Sequence, residues 1–168
     1  MIGDCWGVTL EDTRRHYRRD DVVPNPVLEA WRGVTVRARP EHVWPWVVQI
    51  CLGPYSYDWI DDLGHQSPRR LFGLPDHVVG GPFTAALGGR PSGRIVAVVP
   101  GKQLIGKIMG AVMSYVLVPE GSTTRLLLRV VTRRGRAIAS LLSVGDLVMA
   151  RRELLNFARL AEQTALGE

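Results

Sequence analysis

Thr123-Thr-Arg-Leu-Leu-Leu-Arg-Val-Val-Thr132 is the stretch whose reading decides the fold. Successive side chains of an extended strand point to opposite faces. Thr124, Leu126, Leu128 and Val130 therefore share one side, and Arg125, Leu127, Arg129 and Val131 the other. The side carrying the arginines is expected to meet water and the leucine side the interior. Upstream, Arg94–Val99, Gln103–Ile108 and Ala111–Val118 are also strand-like. Pro100-Gly101, Met109-Gly110 and Glu120-Gly-Ser separate them, and turn signals at such short intervals predict an antiparallel meander. Downstream, residues 137–165 are helical, because Leu147, Ala150, Leu154, Ala158, Ala161 and Ala165 recur at steps of three and four. Gly145 and Asp146 are expected to divide this helix, and Glu153, Glu162 and the arginines to lie on its outer side.

The first half completes the pattern. Val34-Thr-Val-Arg-Ala-Arg alternates as a half-exposed strand. Pro40-Glu41 suits the opening of a helix, in which Val43, Val47 and Ile50 recur at helical spacing until Gly53-Pro54 ends it. Tyr55 to Leu63 reads as a second short helix or an aromatic loop, with Ser56 as its N-cap. Residues 64–93 are rich in Gly, Pro, Ser and Arg, and predict one short helix near Ser67–Phe72 and one weak strand near Phe83–Leu87. Before all of these, Leu10 to Arg19 predicts a short helix starting near Thr9 or Asp12, and Val23-Pro-Asn-Pro an extended link. Residues 1–30 thus read as an arm packed on the body, and residues 31–168 as a single domain.

Strands in a run with helices held apart indicate an α+β fold: a curved antiparallel sheet wrapped around a long C-terminal helix, with two short helices after the first strand. If such a sheet curves strongly, it cannot touch the helix along its whole length, and a cavity is expected between them. Trp44 to Asp62 holds five of the twelve aromatic residues, which suits the wall of that cavity or the anchor of a core.

Composition narrows the function. A chain of 168 residues with 46% apolar and 22% charged residues needs no metal or disulfide to fold. Cys5 and Cys51 form no CxxC pair and predict free thiols in a reducing, cytoplasmic setting. Met1-Ile-Gly-Asp-Cys-Trp has no basic region followed by an apolar run, so no secretory signal is expected. The apolar stretch from Ile95 to Val118 is broken by Pro100, Lys102 and Lys107, which argues against stable membrane insertion. The net charge of +5 is almost all arginine, in separate patches at Arg14–Arg19, Arg69–Arg70, Arg133–Arg136 and Arg151–Arg152. Scattered patches of this kind read as a solvated surface, and no nucleic-acid partner is expected.

The chain resembles the START-like superfamily, also called SRPBCC, and within it the bacterial polyketide cyclase/dehydrase-like group of unassigned function. The resemblance rests on Trp31-Arg-Gly-Val-Thr-Val-Arg-Ala leading into Pro40-Glu-His-Val-Trp-Pro-Trp-Val-Val-Gln-Ile. It continues through Tyr55-Ser-Tyr-Asp-Trp-Ile-Asp-Asp, Thr124-Arg-Leu-Leu-Leu-Arg and the terminal helix, covering roughly residues 30–165. Gly80-Gly-Pro-Phe-Thr84 departs from the Gly-Asp pair that opens the second strand in related sequences. The resemblance implies a helix-grip fold with a hydrophobic cavity between sheet and long helix. Members bind lipids, sterols, polyketides or plant hormones, and a minority catalyse cyclisation, aromatisation or hydrolysis.

Sharper chemical motifs are few. Gly101-Lys-Gln-Leu-Ile-Gly-Lys imitates a phosphate-binding loop, but Ile108 stands where a Ser or Thr would hold magnesium, and the segment reads as strand. His16, His42, His65 and His77 have no metal-ligand spacing, so neither metal nor other cofactor is expected. Ser56, Asp58 and His65 are near in sequence without the elbow of a triad enzyme. The expected partner is a small apolar ligand, bound without catalysis by a monomer or weak homodimer. Trp44, Tyr57, Trp59, Met113, Tyr115, Leu126, Leu128, Leu147 and Leu154 are the expected ligand-binding residues. The alternative is a polyketide cyclase- or aromatase-type enzyme using Asp58, His42 or Tyr115 as acid or base. A third reading is a protein- or membrane-interaction module working through the arginine patches.

Overall fold

A computed structural model describes residues 5–17, 23–55, 66–86, 89–133 and 136–167, with the backbone alone described at 86 and 136–148. Strands β1 (Cys5–Trp6), β2 (Leu28–Val36), β5 (Arg94–Val99), β6 (Gln103–Ile108), β7 (Ala111–Glu120) and β8 (Thr123–Thr132) form one sheet in the order β1-β2-β8-β7-β6-β5. Every pairing is antiparallel except β1 on β2. Strands β3 (Thr84–Ala86) and β4 (Arg90–Ser92) make a separate small hairpin. Among the described residues the helices are α1 (Leu10–Arg14), α2 (Pro40–Val48), which a 3₁₀ turn at Gln49–Leu52 continues, and α3 (Arg136–Leu166).

Local chemistry sets the strand ends. Met109 and Gly110 both have positive φ, 50° and 83°, as a two-residue hairpin matched to the right-handed twist requires. Gly121, at φ 64°, serves the turn between β7 and β8. The supposed phosphate loop is the turn into β6 and that strand itself, so its backbone amides are not gathered at a helix start.

One face of the sheet packs on α2 and α3. Across the sheet, Arg32, Leu128, Tyr115 and Leu104 stand in one row, and Val34, Leu126 and Leu117 in the next. Ala150, Leu154, Phe157, Ala158 and Ala161 of α3 meet them, together with Val43, Val47 and Trp46. Leu104, Leu126, Leu128, Leu154 and Phe157 are fully buried, each contributing about 1.5–3 kcal/mol by its removal from water.

The structure changes four expectations. β2 begins at Leu28, not Val34, so its inner face also carries Ala30 and Arg32. α3 runs unbroken through Gly145; a helical glycine costs about 1 kcal/mol, which tertiary packing of so long a helix outweighs. No helix forms at 66–72, because the Gln49 side chain takes the backbone there: its Nε2 donates to the Arg70 carbonyl and its Oε1 accepts from the Phe72 amide. The outer face of β8 does not lie open to water. Leu127 is buried with Tyr17, Trp31 and Val116, and Arg125 is 9% exposed.

The arm explains that last difference. Thr9 caps α1 in a reciprocal capping box with Asp12. Asp12 also accepts from Arg125 Nε and Nη2, at 3.1 and 2.8 Å, and Arg125 Nη2 donates to the Gly7 carbonyl. Arg129 is held by Glu29 at 2.9 Å and lies over the Trp31 ring. Both outward arginines are thus engaged by protein groups.

Candidate functional site

Among the described residues the inner layer is mostly apolar, and besides Thr124 and Thr132 at its ends three larger polar side chains lie within it, all on elements just described. Arg32 sits between Ala30 and Val34 on the inner face of β2 and is fully buried, with Nη1 donating to the Trp31 carbonyl at 2.9 Å. Tyr115, also fully buried, reaches from β7 toward the helix. Glu153 of α3, 6% exposed, accepts the Tyr115 hydroxyl at 2.6 Å. The phenol ring is flanked by Phe83 and Phe157, with centroids at 6.2 and 6.3 Å. Leu128 stands between Arg32 and Tyr115 in the strand register, so the two Cα atoms are two strand spacings apart, roughly 10 Å.

Removing a cation, a carboxylate and a phenol from water carries a desolvation cost that an all-apolar layer would avoid. Converging polar groups in an apolar surround are also what orient a ligand or carry acid–base chemistry. The short Tyr115–Glu153 bond is of the charge-assisted kind when the carboxylate is ionised.

A second polar hub lies where the turn after α2 meets α3. Gln49, on the turn after α2, donates to the Tyr55 hydroxyl at 2.7 Å as well as to the Arg70 carbonyl. Tyr55 has φ of 54°, its amide donates to Ser67 Oγ, and its carbonyl accepts from Asn156 of α3. Its ring lies 5.0 Å from Phe157. Trp44 Nε1 donates to Asp76 at 2.7 Å, and His77 Nε2 lies 2.6 Å from the Val48 carbonyl, which fixes the 71–83 segment against α2.

Of the residues expected to bind ligand, Trp44, Met113, Tyr115, Leu126, Leu128 and Leu154 come together in this inner layer. Tyr57 and Trp59, with the acid candidate Asp58, lie outside the described residues, and the Leu147 side chain is likewise not described. His42 is half-buried at the start of α2, one position off the buried Val43–Val47 stripe. Among the described residues no three His, Cys, Asp or Glu side chains gather as metal ligands. No helix among them is long and apolar enough to cross a membrane.

Sequence reasoning missed Arg32 and placed Glu153 on the outer side of its helix. The first has a signal in the sequence: Arg32 has the parity of Val34 and Val36 on a strand that begins at Leu28. Glu153 falls three residues after Ala150 and four before Phe157, within the buried stripe, but its charge argued for the outside.

No family model and no curated protein sequence matches the chain. Solved structures do. A protein from Mesorhizobium loti shares 18% identity at a TM-score of 0.54, with 81% of this chain and 98% of that one covered. A protein from Nitrosomonas europaea shares 15% at 0.54, covering 81% and 95%. A Polyketide_cyc-like protein from Corynebacterium glutamicum shares 13% at 0.51, covering 81% and 92%. At such identities the likeness is one of fold.

Proposed function

We propose that this chain, which has the START-like helix-grip fold, binds a small and mostly apolar molecule between the inner face of its sheet and α3. The observation that carries the reading is the buried Tyr115–Glu153 hydrogen bond, with Arg32 on the same apolar face. Leu126, Leu128, Leu154 and Met113 would hold the apolar body of the ligand, and the three polar side chains its hydrogen-bonding end. Trp44, Tyr57, Trp59 and Leu147 complete the proposed lining. Residues 31–168 act as one binding domain with residues 1–30 as its arm, in the cytoplasm, where Cys5 and Cys51 stay reduced.

Native mass spectrometry of the full chain purified from its own cells tests this. A retained small molecule, weakened by Tyr115→Phe and by Leu128→Trp, is the expected result. An empty protein that also fails to take up an apolar fluorescent probe would end the reading.

The same hydrogen bond favours a second reading, a cyclase- or aromatase-type enzyme. A carboxylate 2.6 Å from a phenol is placed to move a proton through it. In that case Glu153→Gln abolishes turnover and leaves binding intact. In a binder without catalysis, no product forms from any bound polyketide-like compound.

A further inference from the structure

We infer that one end of the sheet, where the Val78–Val79 turn and the Met109–Gly110 hairpin lie exposed among basic residues, docks on an anionic lipid surface. Large apolar side chains are normally withdrawn from water in contiguous groups, and a cluster left outside marks an interaction site. Here Val78, Val79 and Met109 are 73, 69 and 75% exposed.

Hydrogen bonds put them at the same edge. Gly80 donates to the Ile95 carbonyl and Ile95 donates to Gly81, both at 2.9 Å, which pins the Val78–Gly81 turn to the start of β5. Arg94 pairs with Lys107 across β5 and β6, and Met109 follows two residues after Lys107. Ala111 pairs with Thr132, whose hydroxyl donates to the Gly110 carbonyl, so Arg133 leaves β8 at the same level. Val27, also exposed, donates to the Thr132 carbonyl. The edge thus runs from β5 to β2, four strand spacings or roughly 19 Å, with apolar tips at both ends and in the middle.

Among the described residues the acidic groups near this edge have partners, Asp76, two residues before Val78, accepting from Trp44 Nε1, and the exposed charges without one are basic. Arg94, Lys107 and Arg133 are exposed, and none is in an ion pair among the described residues. Glu29, one residue inside the edge on β2, is committed to Arg129 and to Trp31 Nε1. Apolar tips together with a basic fringe provide the two signals that interfacial adsorption requires. The contact is peripheral, with side chains reaching the headgroup boundary and the backbone staying in water.

The test is cosedimentation of the full chain with phosphatidylcholine vesicles, with and without phosphatidylglycerol. Binding to the anionic vesicles alone, lost in Val78→Asp/Val79→Asp and weakened about fivefold by each of Arg94→Ala and Lys107→Ala, is expected. Leu10→Asp, an exposed change on α1, should bind as the parent does, and circular dichroism checks that each variant is folded. Equal binding to neutral vesicles, or no binding to either, overturns the proposal. So does anionic binding that survives the valine change, since charge alone would then suffice and an acidic macromolecule would be the better partner. Tyr115→Phe, which tests the interior site, should leave vesicle binding unchanged, so failure of one proposal is distinct from failure of the other.

Discussion

Gly106 is occupied by another residue's ring, and that has a measurable energetic signature. A Cβ added at Gly106 would lie less than 3.0 Å from three atoms of the Phe83 ring. The ring has little room to retreat. Phe83 is 1% exposed, Tyr115 flanks it, and a Cβ at Gly93 would meet its own Cβ. Gly106→Ala alone should therefore destabilise by about 1–3 kcal/mol through overpacking. Phe83→Ala alone should cost about 3–5 kcal/mol through lost burial and the space left behind. Combined, the new methyl enters space the ring has vacated, and the double variant should be more stable than the sum of the two by about 1–3 kcal/mol. Urea unfolding followed by tryptophan fluorescence reads all four proteins. Additivity within about 0.5 kcal/mol would refute the reasoning, because it would mean that the ring does not sit on Gly106.

Asp12→Asn should cost about 3–5 kcal/mol, since it leaves Arg125 buried without its counter-charge. Burial alone would raise the Asp12 carboxyl, but the Arg125 and Thr9 hydrogen bonds outweigh it and hold the group below its ordinary 3.8. A folded value below the unfolded one gives stability that is present above 3.8 and lost as pH falls through the folded value. The unfolding free energies of parent and variant should converge on acidification below that point; a constant gap down to pH about 2 would exclude the linkage. Thr9→Ala removes the other half of the capping box and should cost about 1 kcal/mol by the same unfolding assay. Burial pushes the Cys51 thiol up, whereas Cys5 is exposed, so a maleimide reagent near neutral pH should label Cys5 first, as peptide mapping would show.

Features fixed by local chemistry were legible from the residues alone. β5, β6 and β8 end where the turn residues predict, and Pro40 opens α2. Features fixed by distant partners were not. Nothing near Asp12 announces Arg125, 113 residues away, so the alternation of β8 alone predicts a water-facing surface where the arm in fact lies. The 66–72 segment has the composition of a short helix, but one buried glutamine on a neighbouring turn binds its backbone first. The candidate site divides in the same way. The inward direction of Tyr115 is legible because its strand alternates cleanly, whereas the charge of Glu153 argues for the outside, and a charge is informative about burial only when its partner is known.

The parallel strand β1 does more than lengthen the sheet. β2 would otherwise present a nine-residue border of amide and carbonyl groups, the kind of template on which foreign chains add. Cys5 and Trp6 occupy its middle opposite Trp31 and Arg32, and Gly7 crosses so near Gly33 that a side chain at Gly7 would strike the Gly33 carbonyl. Trp6 in turn lies under Arg151 of α3. The opening residues therefore act as a sealing strip that spends the border's pairing capacity within the molecule. Their loss would leave that border open to pairing with another copy of the chain.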